Sequence, residues 1–295
     1  MQELIEQFVK EKQFLKNVTP KTVIFLYQSM SAFTRSLGDI EPSILNVAKL
    51  NEFVVKMRES GLSAISCNTY ISGVNSFLTW LYENGHTSEH LKIKQLKEEK
   101  KVIQTFKDEH LKALLNWKPK GFYEWRLHAL VCLIVDCGVR IEEALTLELS
   151  KVDLDNLLLT VYGKGNKERI IPMSFELRKV LWRYMKIRTA PGNYFFCTTD
   201  GNRLSYHNSL RDFKNLCKRL GITGVRCSWH TLRHTFAYKY AQSFAQMTGS
   251  AENGIFHLQR QLGHESLVMT RKYVELQPED LKQAHLKTSI MQKLR

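Results

Sequence analysis

Apolar positions recur at helical spacing along most of the chain. Leu4, Ile5, Phe8, Val9 and Leu15 form a first stripe, and Val23, Leu26, Tyr27, Met30 and Phe33 form a second. Thr19-Pro20 lies between them and predicts a helix start, because the hydroxyl can accept a free N–H of the first turn and proline needs no partner there. Leu50, Phe53, Val54 and Met57 predict a third helix that stops near Gly61. Tyr70, Ile71, Val74, Phe77, Leu78 and Leu81 predict a fourth, ended by Gly85. Amphipathic helices on short loops make an all-α domain over residues 1–90.

The pattern then shifts. Lys92, Lys94, Lys97, Lys100 and Lys101 crowd into a short stretch with only Glu98 and Glu99 against them, which predicts a solvated basic linker over residues 91–103. Such a run is an exposed face in the bland reading and a DNA crossing in the sharper one.

Beyond the linker, helical patterning returns over residues 111–117 and 123–137, and a short helix is expected after Gly138 through Leu147. Residues 158–162 and 169–173 are β-like and flank Gly163-Lys164-Gly165-Asn166-Lys167, the composition of a hairpin turn. Further helices are expected at 177–187, 205–220, 230–241, 256–262, 267–276 and 278–291. The fold class that follows is mainly α with a small β-sheet: an all-α N-terminal domain, then an α+β domain over residues 104–295.

Charge adds a partner. Lys and Arg number 43 against 29 Asp and Glu, a net charge of +14 in 295 residues with a pI near 9.5. This favours a polyanion, nucleic acid ahead of an anionic membrane, although a soluble protein can be basic without either. Glu3, Glu6 and Glu11 in the first turns exclude a signal peptide reading. The most apolar stretch, residues 127–139, contains His128 and Asp136 and is too short to span a bilayer, so no membrane partner is expected. Six cysteines without a C-x-x-C pair predict buried thiols in a reducing cytoplasm.

Several polar residues stand where packing alone has little use for them. Arg140 follows Gly138-Val139 directly after an apolar helix, where it needs an anionic partner. Lys164 sits at the hairpin tip; His230, Arg233 and His234 fall within one helical turn; and Gly263-His264 precedes a segment carrying Tyr273. Each has a duller reading. His230 and His234 at i and i+4 could hold a metal, although no H-E-x-x-H motif is present. The glycine-lysine turn lacks phosphate-loop order, and Tyr273 alone would be a packing residue. A metal-dependent nuclease built on Asp136, Glu142, Glu143, His230 and His234 would need carboxylates clustered around the histidines, and the sequence puts none near them.

Taken together and in order, Arg140, Lys164, His230-x-x-Arg233, His264 and Tyr273 resemble the signature of the tyrosine recombinase (phage integrase) family, and most closely its Xer-like members. Gly138 to Glu143 resembles the family's first arginine box, Gly163 to Arg169 its lysine hairpin, His230 to His234 its second box, and Leu262-Gly263-His264 with Tyr273 its closing motif. The resemblance extends to residues 1–90, which look like a core-binding (SAM-like) DNA-binding domain. Two features depart from the pattern. His86-Thr87-Ser88 stands where the family often has Asn-Pro, which blurs the linker position, and no arm-type domain precedes residues 1–90, which points away from a lambda-like integrase.

The resemblance implies site-specific DNA recombination through a covalent 3′-phosphotyrosine, without metal, ATP or other cofactor. Tyr273 would be the nucleophile, Arg140 and Arg233 the phosphate clamp, and Lys164 the acid that protonates the leaving 5′-oxygen. His230 would assist proton transfer, His264 would bond the phosphate, and Glu143 would orient His230 or Arg233. The chemistry suits these residue types, since paired guanidiniums neutralise charge that grows in the transition state and each can hold two oxygens. Lys92, Lys94, Lys97, Lys100, Lys101, Lys167 and Arg169 are candidate DNA contacts. The implied partners are a duplex recombination site and further copies of the chain, a tetramer on paired sites, joined by an accessory or partner recombinase. The two domains would form a clamp around the duplex, and residues 278–295 would be a helix that docks on a neighbouring protomer. The alternative is a DNA-binding regulator of the same fold without catalysis.

Overall fold

The computed structural model describes residues 1–98, 104–163, 167–248 and 251–263, with Ser266 and Thr270. Lys100, Lys101, Lys164, His264, Tyr273, the helices expected at 267–276 and 278–291 and the docking tail 278–295 lie outside the described residues. The chain divides into two compact units, Met1–Lys101 and Val102–Arg295.

The first unit is the expected bundle: α1 (Gln2–Phe14), α2 (Pro20–Leu37), α3 (Val47–Glu59) and α4 (Ala64–Glu83). Thr19 caps α2 by accepting the Thr22 N–H at 3.3 Å, and Asn46 and Ser63 cap α3 and α4 in the same way. Each cap contributes about 1 kcal/mol. Phe8, Phe33, Phe53 and Phe77 are fully buried at the centre, and the Trp80 indole donates to Glu11 at 2.6 Å, tying α4 to α1.

The basic linker is a correction. Residues 91–98 are not a solvated tether but an extended strap bound to α4. Leu91 and Ile93 are buried while Lys92 and Lys94 point out, an alternation that only extended backbone produces. Two asparagines on one face of α4 hold it. Asn75 accepts the Ile93 N–H at 2.8 Å and donates to the Ile93 carbonyl at 2.9 Å. Asn68 makes the same pair of bonds with Leu96, at 2.7 and 2.9 Å, and donates to Glu98 at 2.8 Å. Each side-chain amide substitutes for a neighbouring strand, so the strap belongs to the first unit.

In the second unit, α5 (Asp108–Asn116) leads into α6 (Gly121–Cys137), whose residues from Ala129 to Ile134 are all buried. This is why α6 shows almost no amphipathic pattern: α8 (Phe175–Ile187) and α10 (Trp229–Thr248) both pack on it. Between α6 and α8 run α7 (Ile141–Leu145) and an antiparallel sheet β1-β2-β3 (Val152–Asp153, Leu158–Tyr162, Glu168–Pro172), and α9 (Tyr206–Arg219) lies between α8 and α10. The expected hairpin is present, with Tyr162 opposite Glu168 and the Gly163 N–H donating to the Lys167 carbonyl at 2.8 Å. Strand β1 was not expected, being only two residues long. Helix α11 (Ala251–Leu262) packs against α10. Among the described residues no helix is long and apolar enough to cross a membrane.

Candidate active site

The site begins where α6 stops. Gly138 adopts φ 63° and ψ 24°, and its N–H returns to the Ile134 carbonyl at 3.0 Å. A Cβ there would stand 2.0 Å from the Phe236 ring, so only glycine lets α10 approach the turn. The chain then runs through buried Val139 to Arg140, which is extended and caps the next helix.

Glu143, one turn into α7, is the hub of the site and only 4% exposed. It accepts the Arg140 N–H at 2.7 Å and Arg140 Nη1 at 2.8 Å. It also takes both Arg169 terminal nitrogens at 2.8 Å, and Arg233 Nη1 lies 3.9 Å away. Burial, the largest single influence, pushes its pKa up, but the bonds and charge of Arg169, then those of Arg140, outweigh it and hold the carboxyl below its ordinary range. The sequence reading gave Glu143 to His230 or Arg233. Its closest bonds instead go to Arg140 and Arg169.

Helix α10 supplies the second box. Ser228 caps it through the Thr231 N–H at 3.1 Å, and buried Trp229 stacks on Phe213 with centroids 4.3 Å apart. That anchor fixes the rotation of the helix, leaving His230 outward and Arg233 inward. Arg233 is 4% exposed and donates to the Gly138 carbonyl at 2.7 Å and the Leu262 carbonyl at 2.8 Å. His230 and His234 meet edge to face, centroids 4.1 Å apart. Lost hydration, then the charges of Arg233, Arg140 and Arg226, hold the His230 pKa below the usual imidazole value.

Three guanidiniums converge on the end of α11. Arg169 Nε donates to the Gln261 carbonyl at 3.3 Å, Arg233 to Leu262 at 2.8 Å and Arg140 Nη2 to Gly263 at 3.1 Å. These are successive carbonyls at a helix C-terminus, which lack partners within the helix and carry its negative end. The residue after Gly263 is His264. Arg140, Arg233 and Glu143 are therefore brought together beside the segment that leads to His264, and His230 stands on the same helix as Arg233.

Other candidates separate. Arg169, expected as a DNA contact, is turned inward with its side chain 15% exposed. Lys92, Lys94, Lys97 and Lys167 are exposed. The acids of the nuclease reading are engaged apart from one another: Asp136 accepts the Ser174 N–H at 2.9 Å, Glu142 pairs with Arg203, and Glu143 lies in the arginine cluster. Sequence reasoning missed the inward role of Arg169. The signal was its place in a strand next to buried Ile171, on the side of the sheet that faces α7.

Residues 104–280 match the phage integrase family. Over 319 aligned positions the chain is 26% identical to tyrosine recombinase XerC of Chlorobaculum parvum, covering 95% of this chain and 92% of that protein. It is 28% identical to tyrosine recombinase XerA of Thermococcus kodakarensis, covering 99% and 97%. In fold it is similar to the XerH site-specific recombinase bound to palindromic difH substrate, a post-cleavage complex: TM-score 0.73, 19% identity, 98% of this chain and 84% of that one. A lambda integrase dimer bound to a COC′ core site gives 0.74 at 20% identity, covering 92% and 94%. With a family match over more than half its length and a core of arginines gathered on Glu143, this chain belongs to the phage integrase family as a Xer-like tyrosine recombinase.

Proposed function

We propose that the chain performs site-specific recombination by transesterification through Tyr273. The observation that carries this reading is the meeting of Arg140 and Arg233, far apart in sequence, on the adjacent carbonyls of Gly263 and Leu262, just ahead of His264. Two fixed cations at one place are what a phosphodiester needs to accept a nucleophile.

The Tyr273 phenol attacks the phosphorus as its proton passes to His230. A P–O bond to tyrosine forms, the bond to the 5′-oxygen breaks, and Lys164 protonates that oxygen. Arg140, Arg233 and His264 hold the non-bridging oxygens. The product is a 3′-phosphotyrosine and a free 5′-hydroxyl, and attack by another 5′-hydroxyl reverses the step on a new strand. One phosphoester replaces another, so no external energy source is consumed.

The net charge of +14 supports a duplex DNA partner, and the relatives support several copies acting together: one solved neighbour is a lambda integrase tetramer bound to a Holliday junction. We extend the tetramer on paired sites, the protomer-docking tail 278–295, the DNA-contact lysines and a cytoplasmic location to this chain on that basis. A partner recombinase is a further reading of the same kind.

The test is covalent capture. The protein is incubated with a randomised duplex library carrying nicks, without divalent metal, and denaturation-resistant adducts are isolated and sequenced. Wild-type protein should give an adduct mapping to Tyr273 on an enriched sequence, and Tyr273→Phe should bind that duplex without forming one. An adduct in the Phe variant, or none with the wild type, would overturn the reading.

A further inference from the structure

Arg169 is bound into the site as closely as the arginines of the signature. Its terminal nitrogens occupy both oxygens of Glu143 at 2.8 Å, and its Nε reaches the Gln261 carbonyl at 3.3 Å. A Cβ at Gly263 would stand 3.0 Å from its Nη1, and one at Gly163 would stand 3.5 Å from the same atom. One planar group thus touches the first arginine box, the base of the lysine hairpin and the turn before His264.

We propose that Arg169 is a positioning residue that keeps Arg140 and Arg233 available to the phosphate, and is not itself a DNA contact; this rests on the function proposed above. Three guanidiniums against one carboxylate leave the cluster two positive charges. Without Arg169, Glu143 would answer to Arg140 and Arg233 alone and the cluster would keep one. The buried carboxylate would draw both arginines inward when they should turn outward. Arg169 satisfies Glu143 from the side of the sheet. It also holds a carbonyl at the end of α11, beside those that Arg140 and Arg233 hold. Lysine cannot replace it, because a point charge does not bind two oxygens and a carbonyl in one plane.

The inference is tested on the duplex captured by the wild-type protein, with Arg169→Gln and Arg169→Lys. Affinity and its dependence on salt should stay within about twofold of wild type, since no phosphate contact is lost. Single-turnover adduct formation should fall about a hundredfold or more in Arg169→Gln, with Arg169→Lys also strongly impaired. A second duplex carries a methylphosphonate at the scissile position, which is neutral. There the deficit of both variants should shrink below about tenfold, as should that of Arg140→Ala, because the ground-state charge is gone and the transition state carries one negative charge in place of two.

Equal deficits on the two duplexes would make Arg169 a support of the fold and overturn the inference. So would a salt slope reduced by roughly one, the mark of a lost phosphate contact. Wild-type rates in either variant would overturn it too. If Arg169→Gln does not fold, Arg169→Lys decides by the same comparison. Absence of a wild-type adduct is a different failure, that of the proposed function.

Discussion

Arg233 donates to the carbonyl of Leu262 at 2.8 Å, so the second arginine box and the end of α11 are one structural unit. The same side chain reaches the Gly138 carbonyl at 2.7 Å, on the turn that presents Arg140. Arg233→Ala should therefore act twice. Adduct formation should drop by roughly 100- to 1,000-fold through lost transition-state charge. Stability should also fall by about 1–3 kcal/mol, as two carbonyls lose their partner. Denaturant unfolding beside single-turnover cleavage measures both, and Arg233→Lys should rescue stability more than cleavage.

For Lys164 the expectation concerns the leaving group. Lys164→Ala should cleave an ordinary duplex poorly and regain most of its rate on a duplex whose scissile 5′-oxygen is sulfur, since a thiolate departs without a proton. Rates of adduct formation on the two duplexes decide it; no regain removes Lys164 as the acid.

His230 has its pKa held below the imidazole norm, so it is neutral and able to accept a proton at pH 7. Cleavage should stay level from about pH 8 to below the free-imidazole value of about 6.5, then decline as His230 becomes protonated. His230→Gln should be slow throughout and lack that acid limb. Persistence of the limb in the variant would assign it to another group.

Glu143 is held below the ordinary carboxylate range, so its ion pairs stabilise the fold above the pH where an unfolded glutamate titrates. That contribution is lost as pH falls through the lowered native value. Glu143→Gln should cost about 3–5 kcal/mol at pH 7, because buried arginines lose their counter-charge. Stability measured across pH 7 to 3 should fall less steeply in the variant than in wild type.

In the first unit, Asn75→Ala removes the bonds at 2.8 and 2.9 Å that pair the strap with α4. Loss of about 1–3 kcal/mol is expected, with faster amide exchange at Ile93. Exchange unchanged at Ile93 would mean that the burial of Leu91 and Ile93 and the Asn68 bonds hold the strap without Asn75.

The strap also shows where sequence reading stopped. Leu91 and Ile93 alternate with Lys92 and Lys94 as extended backbone requires, yet the lysines made the stretch read as a solvated linker. Whether such a segment lies on a helix depends on Asn68 and Asn75, whose amides look like ordinary polar positions until α4 is folded.

The sequence by itself determined the order of the described helices, the hairpin of β2 and β3 and the motifs that mark the family. Those are local facts: periodicity, glycine stops, caps and short motifs act over a few residues. Only the tertiary structure decided who bonds to whom. Glu143 took Arg169 in place of His230 because β3 and the end of α11 converge on α7, and three guanidiniums share the space there. An ion pair is chosen by distance and burial, and neither is written along the chain.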